Sequence, residues 1–477
     1  MLLERIYDKD LAQASYFIGC QSAREAIVVD PRRDVHEYLR LAKENGMRIV
    51  AVTETHIHAD YLSGTRELAA ETGARMYISD EGGPDWAYGE DFDTAGSGGT
   101  IRMKHGHEIT LGNITIRAVH TPGHTPEHLS FLVTDGAQAT EPGFMLTGDF
   151  VFVGDLGRPD LLDEAAAGID TRFDGAKDVF ESLRERFLTL PDYVQVLPAH
   201  GSGSACGKAL GAIPASTIGY ERAFSWWSKY IAADDEQGFV DELLSGQPDV
   251  PAYFARMKRQ NRVGPAVLGT LPELVEYSAK KLLPELEADR VIFVDTRHHT
   301  RVQQGTVDRS LNIPGLDKAA SYGAWVYDPE RENRPLVLLA SSQDEAERMR
   351  DHLVRVGIDT VRGFISTLDG LELVRPKLVG ADELAGFDAA MLLDIRNKSE
   401  YAQGYIPGAE QLSGGQVMWN LDHLPRSGTI VTYCRSGVRN GAVASALRRE
   451  GYDIAELDGS YLAWTAFQEH EPELRTA

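Results

Sequence analysis

Histidine and aspartate side chains follow strand-like apolar runs at four places in the first half of the chain. The run MRIVAVTET leads into THIHADY, and later runs lead into TPGHT, LTGD and LPAH. The side chains are His56, His58, Asp60, His124, Asp149 and His200. Strand ends are where a rigid sheet presents ligands on loops, and imidazole and carboxylate are common metal ligands. One such histidine is usually structural, but four elements in succession predict a metal site.

Two changes of pattern divide the chain. Short apolar runs alternate with the helix-period stretch VHEYLRLAKENG near the start, which indicates an α/β domain. Helix-like segments and Pro- and Gly-punctuated sequence after residue 200 place its end near 265. An internal repeat follows, because the spacing from Asp295 to Gly305 equals the spacing from Asp394 to Gly404. The predicted domains are 1–265, 266–375 and 376–477.

Charge and cysteine content limit the partners and the compartment. Lys plus Arg number 48 against 72 for Asp plus Glu, and the net charge of −24 disfavours nucleic acid. Three scattered cysteines and an N-terminus unlike a signal peptide predict a cytoplasmic protein without disulfides. No apolar run approaches the roughly 18 residues of a membrane span, so we expect no membrane partner. A homo-oligomer is compatible with the sequence.

The strand-end motifs resemble those of the metallo-β-lactamase superfamily across about residues 1 to 220. The HxHxD motif, the TPGHT histidine, the GD aspartate and the late histidine stand in the superfamily's order. The resemblance implies an αββα sandwich with the metal at the edge of its paired sheets. It does not fix the reaction, since one fold supports many activities.

Tyr61 departs from the pattern of binuclear superfamily members, which have a histidine at this position. A neutral phenol is a poor substitute for imidazole on a dication, so a mononuclear site is the simpler expectation. Persulfide dioxygenases are the mononuclear iron branch, and the resemblance to them implies that His56, His124 and Asp149 bind one Fe(II) per chain. Two histidines and one carboxylate leave positions open for substrate and O2.

The remaining ligand-type side chains have two interpretations. If the site holds iron, His58, Asp60 and His200 orient the ligands or hold water. If the chain is a zinc hydrolase of the glyoxalase II kind, Zn(II) replaces iron and His58 is a direct ligand. The sequence leaves both interpretations open.

Cys434 begins a loop that favours a reactive thiol. The strand TIVTY leads into CRSGVR and then directly into a helix, so backbone N–H groups, the helix N-terminus, Arg435 and Arg439 surround the sulfur with positive charge. The loop resembles that of rhodanese sulfurtransferases, and we expect both arginines to bind substrate. Four residues separate Cys434 from Arg439, whereas cysteine phosphatases need five, so sulfur transfer is favoured over phosphate hydrolysis. In the preceding repeat Ala340 replaces the nucleophile, which predicts an inactive rhodanese-like domain.

Three further residues receive provisional roles. Arg158, in GDLGRPD, is a candidate for holding an anionic substrate, and a structural salt bridge is the alternative. The resemblance to dioxygenase–sulfurtransferase fusions implies a catalytic role in sulfur handling for Cys206, in HGSGSACGK. The alternative is a core thiol. Cys20 is expected to be structural.

The order of the domains completes the functional hypothesis. An αββα metallo-β-lactamase domain followed by an inactive and an active α/β rhodanese-like domain resembles persulfide dioxygenase–sulfurtransferase fusions. The resemblance implies that iron and O2 oxidise the sulfur of a glutathione, coenzyme A or similar persulfide to sulfite. Cys434 would then pass a sulfane sulfur to sulfite and form thiosulfate, which would detoxify sulfide and persulfide. The alternatives are a zinc thioester hydrolase with an accessory rhodanese domain and a non-enzymatic sulfur carrier or scaffold.

Overall fold

The computed structural model describes residues 1–94, 96–161 and 171–474. The chain divides into two compact units, Met1–Gln247 with Phe254–Leu271, and Pro248–Tyr253 with Pro272–Ala477. Within the described ranges, no helix is both long and apolar enough to cross a membrane. The domain boundaries near 265 and 375 stay predictions.

Two six-stranded sheets form the middle of the first unit. One sheet takes its strands in chain order from β1 to β6, and the other has the order β12-β11-β10-β9-β8-β7. The strands are β1 Leu2–Asp8, β2 Gln13–Cys20, β3 Glu25–Val29, β4 Arg48–Thr53, β5 Arg75–Ser79, β6 Thr100–Met103, β7 Glu108–Leu111, β8 Ile114–His120, β9 Leu129–Asp135, β10 Phe144–Gly148, β11 Gln195–Pro198 and β12 Ser216–Thr217. Because β3 is parallel to β4 and β10 is parallel to β11, the carboxyl ends within each pair emerge at the same edge of their sheet.

Apolar side chains on both faces of the sheets create four layers. In β2, Tyr16 and Ile18 lie in the core between the sheets with Phe131 of β9. Phe17 lies in the outer core with Tyr38, which belongs to the helix His36–Glu44. This alternation follows from the two-residue period of a strand. A third core joins β9 and β10 to the helices on the outside of the second sheet. The predicted αββα sandwich is confirmed.

The helices of the first unit flank these sheets. They are α1 His36–Glu44, α2 Thr65–Thr72, α3 Thr171–Ser182, α4 Ile218–Phe224, α5 Ser228–Ala233, α6 Glu236–Leu244 and α7 Phe254–Val263, with a π-helical turn at Leu183–Phe187 and 3-10 turns at Pro84–Trp86 and Glu90–Thr94. Tyr38 and Leu68 place α1 and α2 on the first sheet, and Val179 and Phe180 place α3 on the second.

The second unit contains two five-stranded parallel sheets with the same topology. Their orders are β13-β18-β17-β14-β16 and β20-β24-β23-β21-β22, and an antiparallel pair joins β15 to β19. The strands are β13 Val275–Glu276, β14 Ile292–Asp295, β15 Thr306–Val307, β16 Leu311–Asn312, β17 Leu336–Leu339, β18 Val361–Ile365, β19 Leu373–Val374, β20 Lys377–Val379, β21 Ala389–Asp394, β22 Glu410–Gln411, β23 Thr429–Tyr433 and β24 Ile454–Leu457. Equal strand order confirms that the internal repeat is a structural repeat.

Helices connect the parallel strands of the second unit, as such strands require. They are α8 Ala279–Glu287, α9 His299–Val302, α10 Ala319–Val326, α11 Gln343–Val354, α12 Lys398–Ala402, α13 Gly414–Val417, α14 Val438–Arg449 and α15 Ser460–Leu474, with 3-10 turns at Leu316–Lys318, Leu384–Gly386 and Leu421–His423. Helix α14 packs on β16, α10 and α13, so the two sheets share contacts through it.

The repeated Asp–Arg–Gly spacing has a structural cause. At the end of β21 the guanidinium of Arg396 donates to Asp394 at 2.6 Å and to the carbonyl oxygen of Gly404 at 2.7 Å. At the end of β14 Arg297 makes the same pair of contacts, and Gly305 and Gly404 both have φ +151°. The motif therefore fixes the turn after each strand, with or without a cysteine in the domain.

Helix α7 anchors the THIHADY segment of the first unit. The fully buried Asn261 amide donates to the carbonyl oxygens of His58 and Tyr61 at 2.8 and 2.7 Å, and its oxygen accepts from the Ser63 N–H at 2.8 Å. One side chain thus satisfies three backbone groups of a segment that has no regular structure of its own.

We expect Asn261→Ala to destabilise the first unit by about 3 kcal/mol, because three buried hydrogen bonds of about 1 kcal/mol each are lost. Urea unfolding measures the change in the free energy of unfolding. Hydrogen exchange of peptides from β2 and β8 detects the unfolding of the first unit specifically. The half-exposed Val263 ends the same helix, and Val263→Ala should shift the midpoint little. Equal midpoints for the two variants would contradict the anchoring role.

Candidate metal centre and thiol site

Loops at the ends of four strands supply the polar side chains of the first unit's centre. The loops follow β4, β8, β10 and β11 and bring His56, His124, Asp149 and His200 together. Gly148, the last residue of β10 and the neighbour of Asp149, has φ +54°, and a Cβ there would lie 2.5 Å from Nε2 of His128. Glycine at this position therefore permits both the turn and the close packing.

His56, His124 and Asp149 point one ligand atom each at a common centre. The three ligand atoms lie within 4.8 Å of one another, and all three side chains are buried. Nε2 of His124 is 3.5 Å from Oδ2 of Asp149, and Nε2 of His56 is 3.8 Å from the same oxygen. These are the three residues that the sequence proposes as iron ligands.

Hydrogen bonds set the tautomers of the two histidines. Nδ1 of His124 donates to the carbonyl oxygen of Arg158 at 3.0 Å, which leaves the lone pair on Nε2. Thr55 donates its hydroxyl proton to Asp30, so it accepts from Nδ1 of His56 at 2.9 Å. Burial lowers the pKa of His124 to about 4 and that of His56 well below its usual value, so both rings are neutral donors of a lone pair near pH 7.

His200 links two carboxylates instead of facing the centre. Its Nδ1 donates to Asp149 at 2.6 Å and its Nε2 donates to Asp60 at 2.9 Å. Carboxylates only accept, so both ring nitrogens carry protons. Burial alone would lower the pKa of His200, but Asp149 and Asp60 raise it well above its usual value. Neither nitrogen has a lone pair for a metal, and the imidazolium instead fixes the orientation of Asp149.

Asp30 holds one nitrogen of His58, whereas the other, the buried Nδ1, has no hydrogen-bond partner among the described residues. Nε2 of His58 lies 3.1 Å from Oδ1 of Asp30, which also accepts from the Thr55 N–H at 2.6 Å. The Tyr61 ring packs against the His58 ring with 4.5 Å between centroids and a tilt of 34°. Its hydroxyl donates to the Asp30 carbonyl oxygen at 3.3 Å. Tyr61 therefore supports the Asp30–His58 pair rather than offering an additional ligand.

Three residues that the sequence did not assign to the metal site hold its side chains in place. Asp30 follows the strand run REAIVVD, so the strand-end rule applied to His56 would also have found it. His128 accepts from the N–H of Asp149 at 3.1 Å, and the carboxylate of Glu127 accepts from the N–H of Ile57 at 2.8 Å. The side-chain types of His128 and Glu127 alone do not distinguish them from ordinary polar residues of a core.

The donor set at the centre fits a divalent transition metal. Two neutral imidazole nitrogens and one carboxylate oxygen form the combination found in non-haem iron sites with open coordination positions. The residues that orient them, Thr55, His200 and the Arg158 carbonyl, are themselves hydrogen-bonded. Such support is a general feature of functional metal sites.

Arg158 and Cys206 lie beside this centre. The buried Arg158 guanidinium donates twice to Asp160, at 2.9 and 2.5 Å, and once to the Ala205 carbonyl oxygen at 3.1 Å. These contacts match the salt-bridge alternative, and a substrate role for Arg158 stays a prediction. The thiol of Cys206 forms a second compact group with Asp60 and His200. Burial raises the pKa of the Cys206 thiol to about 12, so it remains protonated near neutral pH.

Cys434 occupies the first position of a loop between β23 and α14 in the second unit. Its buried Sγ accepts from the N–H of Gly437 at 3.1 Å and lies 4.0 Å from Oγ of Ser460. Gly437 has φ +103°, which a glycine adopts without strain while turning its N–H toward the sulfur. The twelve-residue helix α14 starts directly after it and adds the positive end of its dipole.

The two loop arginines differ in their surroundings. Arg439 donates two hydrogen bonds to Glu400, at 2.6 and 2.8 Å, whereas Arg435 is exposed. Their substrate-binding roles stay predictions. Ala340 follows β17 as Cys434 follows β23, so the first repeat has no nucleophile at this point. Cys20 lies apart at the end of β2, where its thiol donates to Asn113 at 2.9 Å.

Comparisons with known proteins cover both units. Residues 8–200 match the metallo-beta-lactamase superfamily, and residues 380–467 match the rhodanese-like domain. Mitochondrial persulfide dioxygenase ETHE1 of Mus musculus is 26% identical over 202 residues, 42% of this chain and 68% of that protein. The probable metallo-hydrolase YqgX of Bacillus subtilis is 26% identical over 192 residues, 37% of this chain and 80% of that protein.

A solved structure extends the match over most of the chain. The crystal structure of a metallo-beta-lactamase from Staphylococcus aureus superposes with a TM-score of 0.64 at 35% sequence identity. The match covers 77% of this chain and 99% of that one. The chain therefore belongs to the metallo-β-lactamase superfamily and carries a rhodanese-like domain in its C-terminal part.

Proposed function

We propose that the chain is a non-haem iron persulfide dioxygenase coupled to a sulfurtransferase. The observation that carries the proposal is the convergence of two neutral imidazoles and one carboxylate, His56, His124 and Asp149, within 4.8 Å. The relationship to a persulfide dioxygenase and the rhodanese-like domain support it. The substrates are a small-molecule persulfide and O2, and the product of the first reaction is sulfite.

The first reaction balances as RSSH + O2 + H2O → RSH + SO3²⁻ + 2 H⁺, where R is the thiol carrier. Iron(II) at the centre would supply coordination and activation of O2 together with the persulfide sulfur. The chain contributes a rigid set of ligand atoms, because Thr55, the Arg158 carbonyl and His200 hold the donors in place. The imidazolium of His200 also occupies one Asp149 oxygen and leaves the other for the centre.

The second reaction is assigned to Cys434. Its thiolate, stabilised by the Gly437 N–H and the start of α14, takes the outer sulfur of a second persulfide and releases the carrier thiol. Sulfite then attacks this outer sulfur, the S–S bond breaks, and its electron pair returns to Cys434: Cys434–SSH + SO3²⁻ → Cys434–SH + S2O3²⁻. Thiosulfate is the expected final product.

Several further assignments belong to the same proposal. They are the boundaries at 265 and 375, the catalytic role of Cys206, substrate binding by Arg158, Arg435 and Arg439, a cytoplasmic location and the detoxification of persulfide. The zinc hydrolase is the competing proposal, and the relationship to a probable metallo-hydrolase supports it. The commitment of both His200 nitrogens to carboxylates favours the mononuclear site instead.

Protein purified without oxygen should bind one iron per chain, since His56, His124 and Asp149 offer convergent donor atoms of the kind iron needs. In the second ligand-type group of the described residues, Asp60, His200 and Cys206, both ring nitrogens of His200 are occupied by carboxylates. Elemental analysis with a protein assay measures the ratio. Two stoichiometric zinc ions per chain, with thioester turnover and no oxygen uptake, would establish the hydrolase instead.

His124→Ala should reduce oxygen consumption with glutathione persulfide by at least about a hundredfold, because it removes a donor atom from the centre. An oxygen electrode and anaerobically iron-loaded protein provide the measurement. His36 is exposed at the start of α1, and His36→Ala should leave the rate unchanged. Normal oxygen uptake by the iron-loaded His124 variant would refute the assigned centre.

Cys434→Ser should abolish thiosulfate formation and leave sulfite-producing oxygen uptake intact, because the two reactions use different side chains. Product analysis by ion chromatography separates sulfite from thiosulfate. Cys20→Ser is the matched control, since this buried thiol only hydrogen-bonds to neighbours. Continued enzyme-dependent thiosulfate formation by the Cys434 variant would remove that residue from the mechanism.

A further inference from the structure

A histidine of the repeat without a cysteine lies against the Cys434 loop. His299 begins α9, is only 6% exposed, and belongs to the same compact unit as Cys434. A Cβ added to Gly437 would lie 2.4 Å from Nε2 of His299, and one added to Gly441 would lie 2.7 Å from its Cβ. The imidazole therefore packs on the loop residue whose N–H contacts the Cys434 sulfur.

The surroundings of the ring favour a proton on Nε2. Among the described residues, the buried Nδ1 of His299 has no hydrogen-bond partner. A buried N–H without an acceptor is rarer and costlier than a lone pair without a donor. The favoured tautomer therefore has its lone pair on Nδ1 and its proton on Nε2, the nitrogen beside Gly437.

The ring remains neutral near pH 7. Burial lowers the pKa of His299 to about 4, His298 lowers it further, and Asp458 opposes this effect. Asp458 precedes Gly459 and Ser460, and the Ser460 hydroxyl lies 4.0 Å from the Cys434 sulfur. His299 thus packs on the loop that carries the sulfur, and its charge state is influenced by Asp458.

The repeat explains how two domains border one site. In the cysteine-containing repeat, Glu400 follows the Asp394–Arg396 motif and pairs with Arg439 of the loop. In the other repeat, His299 follows the Asp295–Arg297 motif and packs on Gly437. Because Glu400 neutralises Arg439, an anionic acceptor gains from an additional donor at the loop.

We propose that His299 is a substrate-binding residue of the Cys434 site and that its Nε2–H donates a hydrogen bond to an oxygen of sulfite. The inference rests on the proposed sulfurtransferase activity. In the transfer step, the sulfite sulfur bonds to the outer sulfur of Cys434–SSH, and the S–S bond electrons return to Cys434. The oxygens of sulfite do not change, so His299 binds the acceptor without exchanging a proton with it. The domain without a nucleophile thus contributes acceptor specificity.

Anaerobic assays of the full chain test this role apart from persulfide oxidation. Glutathione persulfide loads Cys434, and either sulfite or cyanide, an acceptor without oxygen atoms, removes the sulfur. The variants are His299→Leu, which has no donor, and His299→Gln, whose amide N–H can reach the position of Nε2. Thermal unfolding verifies that each variant is folded.

We expect His299→Leu to raise KM for sulfite about tenfold with kcat within about twofold, because a hydrogen bond to a charged group is lost from both ground and transition states. KM for cyanide should stay unchanged, and His299→Gln should recover most of the sulfite affinity. An unchanged KM for sulfite, or equal rises for both acceptors, would overturn the inference while leaving the sulfurtransferase intact. Wild-type protein that forms thiocyanate but no thiosulfate would refute the sulfite assignment, and one that forms neither would refute the sulfurtransferase proposal.

Discussion

The candidate metal centre depends on the hydrogen bond between the Asp149 carboxylate and the His200 imidazolium. One of its oxygens accepts from the imidazolium of His200, and the other faces the Nε2 atoms of His56 and His124. Although burial would raise its pKa, the charge of His200 lowers the pKa of Asp149, so the carboxylate stays ionised in the core. His200 is therefore a cation that positions Asp149. His56 and His124 are neutral rings that can coordinate a metal. This difference in charge gives the histidines of the site different roles.

Asp30 makes a similar selection on the other side of the centre. It holds His58 through Nε2, orients His56 through the Thr55 hydroxyl, and receives the Tyr61 hydroxyl at its carbonyl oxygen. Tyr61 stands where binuclear superfamily members have a further histidine. It is part of the hydrogen-bonded surroundings of His58 and Asp30. The proposed mononuclear site therefore depends on the hydrogen bonds of Asp30 as well as on the residue types.

The sequence predicted what depends on local pattern and missed what depends on distant contacts. Strand-end motifs led to His56, His124 and Asp149, and the Asp–Arg–Gly spacing led to two sheets of equal order. Asn261 was missed because it reaches His58 across 203 residues, from a helix whose composition gives no indication of that contact. For Arg158 the sequence left a substrate role and a salt bridge open, and the structure shows its guanidinium donating to Asp160 and to the Ala205 carbonyl oxygen.

In the second unit, the contacts that both repeats share belong to the fold. The cysteine that only one repeat has belongs to the proposed chemistry. Both repeats keep the aspartate–arginine pair and the glycine that receives it, because these contacts close the turn after a parallel strand. Only one keeps a cysteine at the following loop, where Ala340 stands in the other. The segment after β14 carries His299, which packs on Gly437 in the loop of the neighbouring repeat. The repeat without a cysteine therefore still borders the Cys434 loop, because its strand-end segment places His299 against Gly437.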